Sequence, residues 1–266
     1  MKRAFNRIIL YLSVLVLTAC DIFSPGQDPP YPTTVAPLDS VTLHHYTNEY
    51  QALNNNRICT GLNEYGFCEY HVTSCPGRPL SVEITSENEM IERAQEFIAR
   101  NHKFTGISFP GGLQVSTSYG IGPGSKHTEW KIIFRNQIYK GYEVLNTAFY
   151  VFLDHDGVYM IGGNWYPQIT IPDQDNYTLD QAKESLYGHQ ITFWCWNQVE
   201  ITVSESNIKP ESRKVIVPFE TDDRMELRVA WEIYIKGSPD SSIPIWVIYI
   251  DSMTGEILQE YMTVDC

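Results

Sequence analysis

Positive charge is scarce in this chain: Lys and Arg number 19 against 32 Asp and Glu, a formal net charge of −13. So acidic a surface repels a phosphate backbone, which excludes nucleic acid as an expected partner. Long apolar runs are missing too. The longest, Ile8 to Leu17, is about half of the ~20 residues a membrane-spanning helix needs. Catalytic punctuation is equally sparse. There is no H-E-x-x-H, no histidine pair spaced i, i+4 for a helical zinc site and no G-x-S-x-G elbow. The glycines of YGIGPGSKH (Tyr119 to His127) lead into a strand pattern, whereas a dinucleotide loop opens a helix; they read as a hairpin loop. No spacing singles out a pair of carboxylates as acid and base. The remaining enzyme reading is a hydrolase whose site is assembled from scattered loops.

The N-terminus supplies the address. Lys2, Arg3 and Arg7 stand without an acid before the short apolar run, the charge and length of a secretion signal. Leu17-Thr18-Ala19-Cys20 resembles the lipobox of bacterial lipoproteins. That resemblance implies a signal peptide over 1–19 and a mature chain beginning at Cys20. It further implies a diacylglycerol on the Cys20 thiol, acylation (palmitate or a similar chain) of its amine, and a lipid-anchored place in the cell envelope. More than one acyl chain makes such attachment stable.

Residues 20–40 follow as a lipidated N-terminus and linker, in which SPGQDPPYPTTVAPLDS (Ser24 to Ser40) is proline-rich and reads as an extended stalk. Residues 41–85 hold Cys59, Cys68, His71 and Cys75 in a C-x8-C-x2-H-x3-C pattern. Zinc is one reading of it. Disulfides are the expected one, because an exported chain meets oxidising conditions and the spacing is not a pair of C-x2-C knuckles. Cys59, Cys68, Cys75, Cys195 and Cys266 are the candidate disulfide cysteines, an odd number that leaves one free or intermolecular.

From Ser86 the chain states one pattern twice. Ser86 with Glu89 and Thr178 with Gln181 are capping pairs, each followed by an apolar helical stripe: Met90, Ile91, Ala94, Phe97 and Ile98 in one, Leu179, Ala182 and Leu186 in the other. Each helix precedes an alternating strand with a tryptophan, HTEWKIIFR (His127 to Arg135) and LRVAWEIYIK (Leu227 to Lys236). Each then reaches a hairpin, with Asp154 and Gly157 in the first matched by Asp251 and Gly255 in the second. An Asp that opens a turn bonds its own downstream backbone, and Gly takes the positive φ that closes it. These four residues therefore read as structural turns; Asp154 and Asp156 as calcium ligands would lack further oxygen donors at alternate positions. Ile245 to Ile250 is apolar on both alternating sets, which requires both faces to be covered. The expected fold is α+β: two tandem copies of a helix packed on an antiparallel β-meander, at 86–172 and 173–266, preceded by the proline-rich linker.

The stretch Thr178 to Met262, with TLDQAKESL, LRVAWEIYI and PIWVIYIDSMTGEIL, resembles the PepSY domains of thermolysin-like protease propeptides and bacterial envelope proteins. NTAFYVFLDHDGVYMIGGNWYP resembles the fungalysin/thermolysin propeptide module. The resemblance implies a helix on a curved sheet, no catalysis, no cofactor, and a role in inhibiting or chaperoning an extracytoplasmic peptidase in trans. A second reading is a surface lipoprotein that binds a glycan or an extended peptide, with FWCWN (Phe193 to Asn197) and NWYP (Asn164 to Pro167) as aromatic platforms.

Lipidation is directly checkable. Cys20→Ala should give an unprocessed precursor that takes up no labelled fatty acid; normal labelling of that variant removes the assignment.

Overall fold

The computed structural model describes residues 31, 34–69, 82–84, 86–123, 126–194, 198–221, 224–238 and 244–263. The readings that fall on Cys20, His71, Cys75, Cys195 and Cys266 lie outside these residues. The elements run β1 (Thr34–Val35), α1 (Ser40–Leu53), β2 (Gly61–Leu62), β3 (Cys68–Glu69), α2 (Glu87–Arg100), α3 (His102–Thr105), β4 (Val115–Ile121) and β5 (Glu129–Phe134). They continue through β6 (Ile138–Tyr139), β7 (Tyr142–Val144), β8 (Phe149–Asp154), β9 (Gly157–Gly162), α4 (Leu179–Ser185), β10 (Gln190–Trp194) and β11 (Gln198–Thr202). The last are β12 (Ile208–Glu220), β13 (Met225–Lys236), β14 (Pro244–Asp251) and β15 (Ile257–Met262). The fold class is α+β.

The caps start the helices. Ser86 Oγ accepts from Glu89 N at the head of α2, and Thr178 with Gln181 forms a reciprocal capping box at α4. Helix α2 buries Met90, Ala94, Phe97 and Ile98 against Trp130, Ile132, Phe134 and Leu153 of the first sheet, in the order β4-β5-β8-β9. Helix α1 joins the same core through fully buried Tyr50. At the ends of α1 and α2, Asn54 and Asn101 exchange side-chain hydrogen bonds of 2.8 and 3.1 Å. Helix α4 places Ala182 and Leu186 over Ile233, Ile235, Ile248 and Ile250 of the second sheet, whose order is β15-β14-β13-β12-β7-β6.

The two sheets share a register beside their hairpins. Trp130 pairs with Leu153, the residue before Asp154, and Trp231 pairs with Ile250, the residue before Asp251. They differ in how they are completed. The second sheet is not confined to 173–266: β6 and β7 come from within the first expected copy, β7 pairing in parallel with β12, and β1 pairs with β13. The division at 172/173 is therefore crossed by strand pairing. Segments of two or three residues carry no periodicity, which is why the sequence did not reveal these partners.

The linker reading needs a correction at its C-terminal end. Tyr31 is buried and donates its hydroxyl to the fully buried Asp251, while Thr34 and Val35 pair with Glu226 and Met225. The stalk thus stops short of residue 40. Strand β14 ends at Asp251, and the chain before α1 takes over the edge of β13 beyond it.

Both faces of Ile245–Ile250 are engaged. Ile248 and Ile250 face α4, and Val247 and Tyr249 pack with Val215, Val217, Ala230 and Leu258 on the other side. Trp246 is only partly buried, tilted against Phe193 at 5.6 Å between ring centroids.

The docked linker generates a test. Tyr31→Phe removes one hydrogen bond to a buried carboxylate and should destabilise the chain by about 1.5–3 kcal/mol in urea unfolding. An unchanged midpoint would mean that Tyr31 is not docked.

Candidate functional site

Because β7 leaves the first sheet's run of chain to join the second sheet, residues 135–148 bridge the two, and two cavities flank the bridge. One, about 490 Å³, is lined by Asn63, Glu69, Asn136, Asn146, Tyr150 and Asn164 together with Cys68, Ala148 and Gly163. The other, about 600 Å³, lies against Gln114, Phe134, Arg135, Ile138, Glu143 and Trp165. Asn136 and Ala148 line both. Each volume falls within the roughly 300–1,000 Å³ of small-ligand sites; taken together as a trough, they are lined mainly by side-chain amides in the first and by mixed polar, apolar and aromatic groups in the second.

Each amide has a local reason for its position. Asn63 closes the β2–β3 turn, its Oδ1 accepting from Tyr65 N at 3.1 Å and Phe67 N at 3.0 Å. Asn146 sits at φ 59°, a left-handed conformation that Asn tolerates well. Asn164 follows Gly163, which has φ 130°; a Cβ there would lie 2.5 Å from the Ala148 carbonyl oxygen. Only glycine lets the chain after β9 approach the trough wall so closely.

Asn136 is the central group. Its Nδ2 donates to Glu143 Oε1 at 2.5 Å, while its Oδ1 is buried with no partner among the described residues. An unmet buried acceptor costs about 1–3 kcal/mol, a cost that a donor reaching Asn136 would remove.

Behind Asn136 a polar chain crosses the second sheet. Arg213 donates from NH1 to Glu143 at 2.6 Å and from Nε to buried Glu232. Tyr249 OH donates to Glu232 at 2.9 Å and lies 2.8 Å from Tyr261 OH. Burial alone would raise the Glu143 carboxyl, but the hydrogen bonds from Asn136 and Arg213 outweigh it and hold the group below its ordinary value. The bond to Glu232, opposed by partial burial and aided by Glu143, pushes the Arg213 guanidinium upward. Glu143 is thereby kept ionised and turned toward Arg213.

The four turn residues hold their hairpins and, for the two acids, do more. Asp154 Oδ1 accepts from Asp156 N at 2.9 Å, and Asp251 Oδ1 accepts from Met253 N at 2.7 Å and Thr254 N at 3.2 Å. Gly157 and Gly255 have φ of 121° and 76°. Asp154 also pairs with Arg57, whose NH1 lies 3.5 Å from Asp156. A guanidinium therefore occupies the place a calcium ion would take between these carboxylates. Asp251 is 3.5 Å from Arg228, which also reaches Glu226 at 2.7 Å and Glu256 at 2.9 Å and stacks over the Phe219 ring.

Among the cysteines, Cys68 is corrected. It is a free thiol, fully buried, with its Sγ 3.5 Å from the Phe104 carbonyl oxygen, and burial pushes its pKa up to about 12. Cys59 is disulfide-bonded, and its partner lies outside the described residues. The core around Phe104 and Tyr50 claims Cys68 as a small apolar side chain. Of the aromatic platforms, Trp165 lines the trough and Phe193 packs on Trp246, leaving Trp194 exposed.

No family model matches the chain. No curated protein matches it either. Among solved structures, the Bacillus megaterium YpeB C-terminal domain overlaps 86% of this chain and 100% of that domain, at 11% identity and a TM-score of 0.33. At that level the likeness assigns no function, and the architecture rests on the strand pairings themselves.

Sequence reasoning reached Asn164 and Trp165 through NWYP but passed over Asn63, Asn136 and Asn146. Asn63 lies in the β2–β3 turn and Asn136 and Asn146 flank β6 and β7, and only the tertiary fold brings them to one cavity.

The buried thiol gives a chemical test. Cys68 should resist a thiol reagent such as DTNB at pH 8 in the native protein and react on unfolding, because a thiol so raised and enclosed supplies almost no thiolate. Prompt labelling of Cys68 in folded protein would overturn its burial.

Proposed function

We propose that this chain is a non-catalytic binding module of the cell envelope, tethered by lipid at Cys20, that holds its ligand in the trough between its two sheets. Asn136 carries the reading: the residue lines both cavities, and its buried Oδ1 has no partner among the described residues. The most buried acids are committed elsewhere. Asp154, Asp251 and Glu232 are each engaged by an arginine, and none of them lines either cavity.

The tether is short. Ten residues lie between Cys20 and docked Tyr31, so the eleven steps of chain reach at most roughly 36–40 Å when fully extended. The module thus works close to the bilayer. Among the described residues no helix is long and apolar enough to cross a membrane, so the lipid is the attachment this reading relies on. The finer version, implied by the PepSY resemblance, is a peptidase bound in trans.

Affinity capture from envelope extracts tests the reading when the parent is compared with Asn164→Leu, which fills the trough at a partly exposed position. Material retained by the parent and lost by the variant is the trough ligand, and an inhibited peptidase in that fraction would establish the finer version. Equal capture by both proteins defeats the trough reading. Hydrolysis of the captured material by purified protein replaces the module with an enzyme.

A further inference from the structure

Resting on the trough reading, we infer that the ligand is an uncharged oligosaccharide chain. The lining matches hydroxyl groups. Asn63, Asn136, Asn146 and Asn164 surround one cavity, and an amide carries both donors and an acceptor, as a sugar hydroxyl requires of its partner; Asn63 Oδ1 and Asn136 Nδ2 are already engaged by Tyr65 N, Phe67 N and Glu143. Asn164 and Asn63 meet at 3.5 Å, the upper limit of a hydrogen bond. An incoming hydroxyl therefore displaces little when it takes over either amide.

The aromatic side is supplied by Trp165 in one cavity and Tyr150 in the other. An indole ring accepts the apolar face of a sugar ring, whereas the Tyr150 ring already has Lys131 Nζ 5.3 Å from its centroid. Asn136 and Ala148 line both cavities, so a chain long enough to reach both would meet the amides in one and Trp165 in the other.

Charge points to a neutral ligand. Glu143 is satisfied by Arg213 and Asn136. Of the other charged lining groups, Glu69 and Arg135 have opposite signs and lie in different cavities. The protein as a whole carries −13, which repels a polyanion. An extended peptide fits less well. Strand addition needs a run of open backbone; the edge strand β4 offers one and its Ser116 lines the second cavity, but β4 does not line the cavity that holds the four amides.

Calorimetric titration of the soluble domain beginning at Asp21 tests this. The probes are cellotetraose, chitotetraose, maltotetraose and β-1,4-mannotetraose, with the acetylated, amidated hexa-alanine peptide as the competing class. The expected result is millimolar or tighter binding of at least one tetrasaccharide, weakened at least tenfold by Asn164→Leu and by Trp165→Ala at unchanged melting temperature. Trp165 also touches the first core; if its variant melts early, Asn164→Leu together with Asn136→Ala decides. Peptide binding lost in these variants, with no saccharide bound, overturns the saccharide assignment and leaves the trough reading standing. Saccharide binding unaffected by the variants also overturns it, placing the sugar elsewhere. If no probe binds and envelope capture survives Asn164→Leu, the saccharide assignment and the trough reading fail together.

Discussion

The parallel pairing of β7 with β12 is the constraint from which the rest follows. Val215 and Ile216 face Glu143 and Val144 across it, so a short excursion between β5 and β8 becomes part of the other sheet. A parallel pair needs a long connection between its strands, and here the whole of β8, β9, α4 and the β10–β11 hairpin lies between them. The pairing fixes Glu143 within reach of Arg213 and sets Asn136 opposite the ends of β3 and β9. Without it Glu143, which lines the second cavity and holds Asn136, would lose its place on the second sheet.

Buried charge on the second sheet has the same logic. One alternating set of β13 contains Glu226, Arg228, Ala230 and Glu232, all buried, on the side away from α4. Each charge has an opposite partner there, and removing a partner would strand the other in a low-dielectric setting. These groups give orientation in addition to cohesion. Arg228 gathers Glu226, Asp251 and Glu256 at the point where Tyr31 docks, and the Tyr31 hydroxyl, raised by burial and by its bond to Asp251, remains a donor. The N-terminal segment is thus attached to the hairpin of the second sheet, at the other end of the chain.

The two Asp-Gly hairpins show how far local pattern reaches. Asp154 and Asp251 were legible as turn residues because their chemistry acts within a few positions of themselves, and both accept from nearby backbone amides. Their arginine partners, Arg57 and Arg228, lie at unrelated distances along the chain and left no spacing to read. Cys68 belongs to the same class: its oxidation state depends on whether another thiol stands nearby, and the side chain is enclosed by Phe104 and Tyr50 instead.

The sequence by itself determined the capped helices, the alternating strands, the acidic charge that disfavours polyanions, and the lipobox-like start, because each is a property of neighbouring residues or of composition. Only the tertiary structure decided where the linker stops, which strands complete the second sheet, and that Asn63, the pair Asn136 and Asn146, and the neighbours Asn164 and Trp165 line one trough. Strand pairing is a contact between distant segments, and a segment of two or three residues has too little periodicity to announce its partner before the chain has folded.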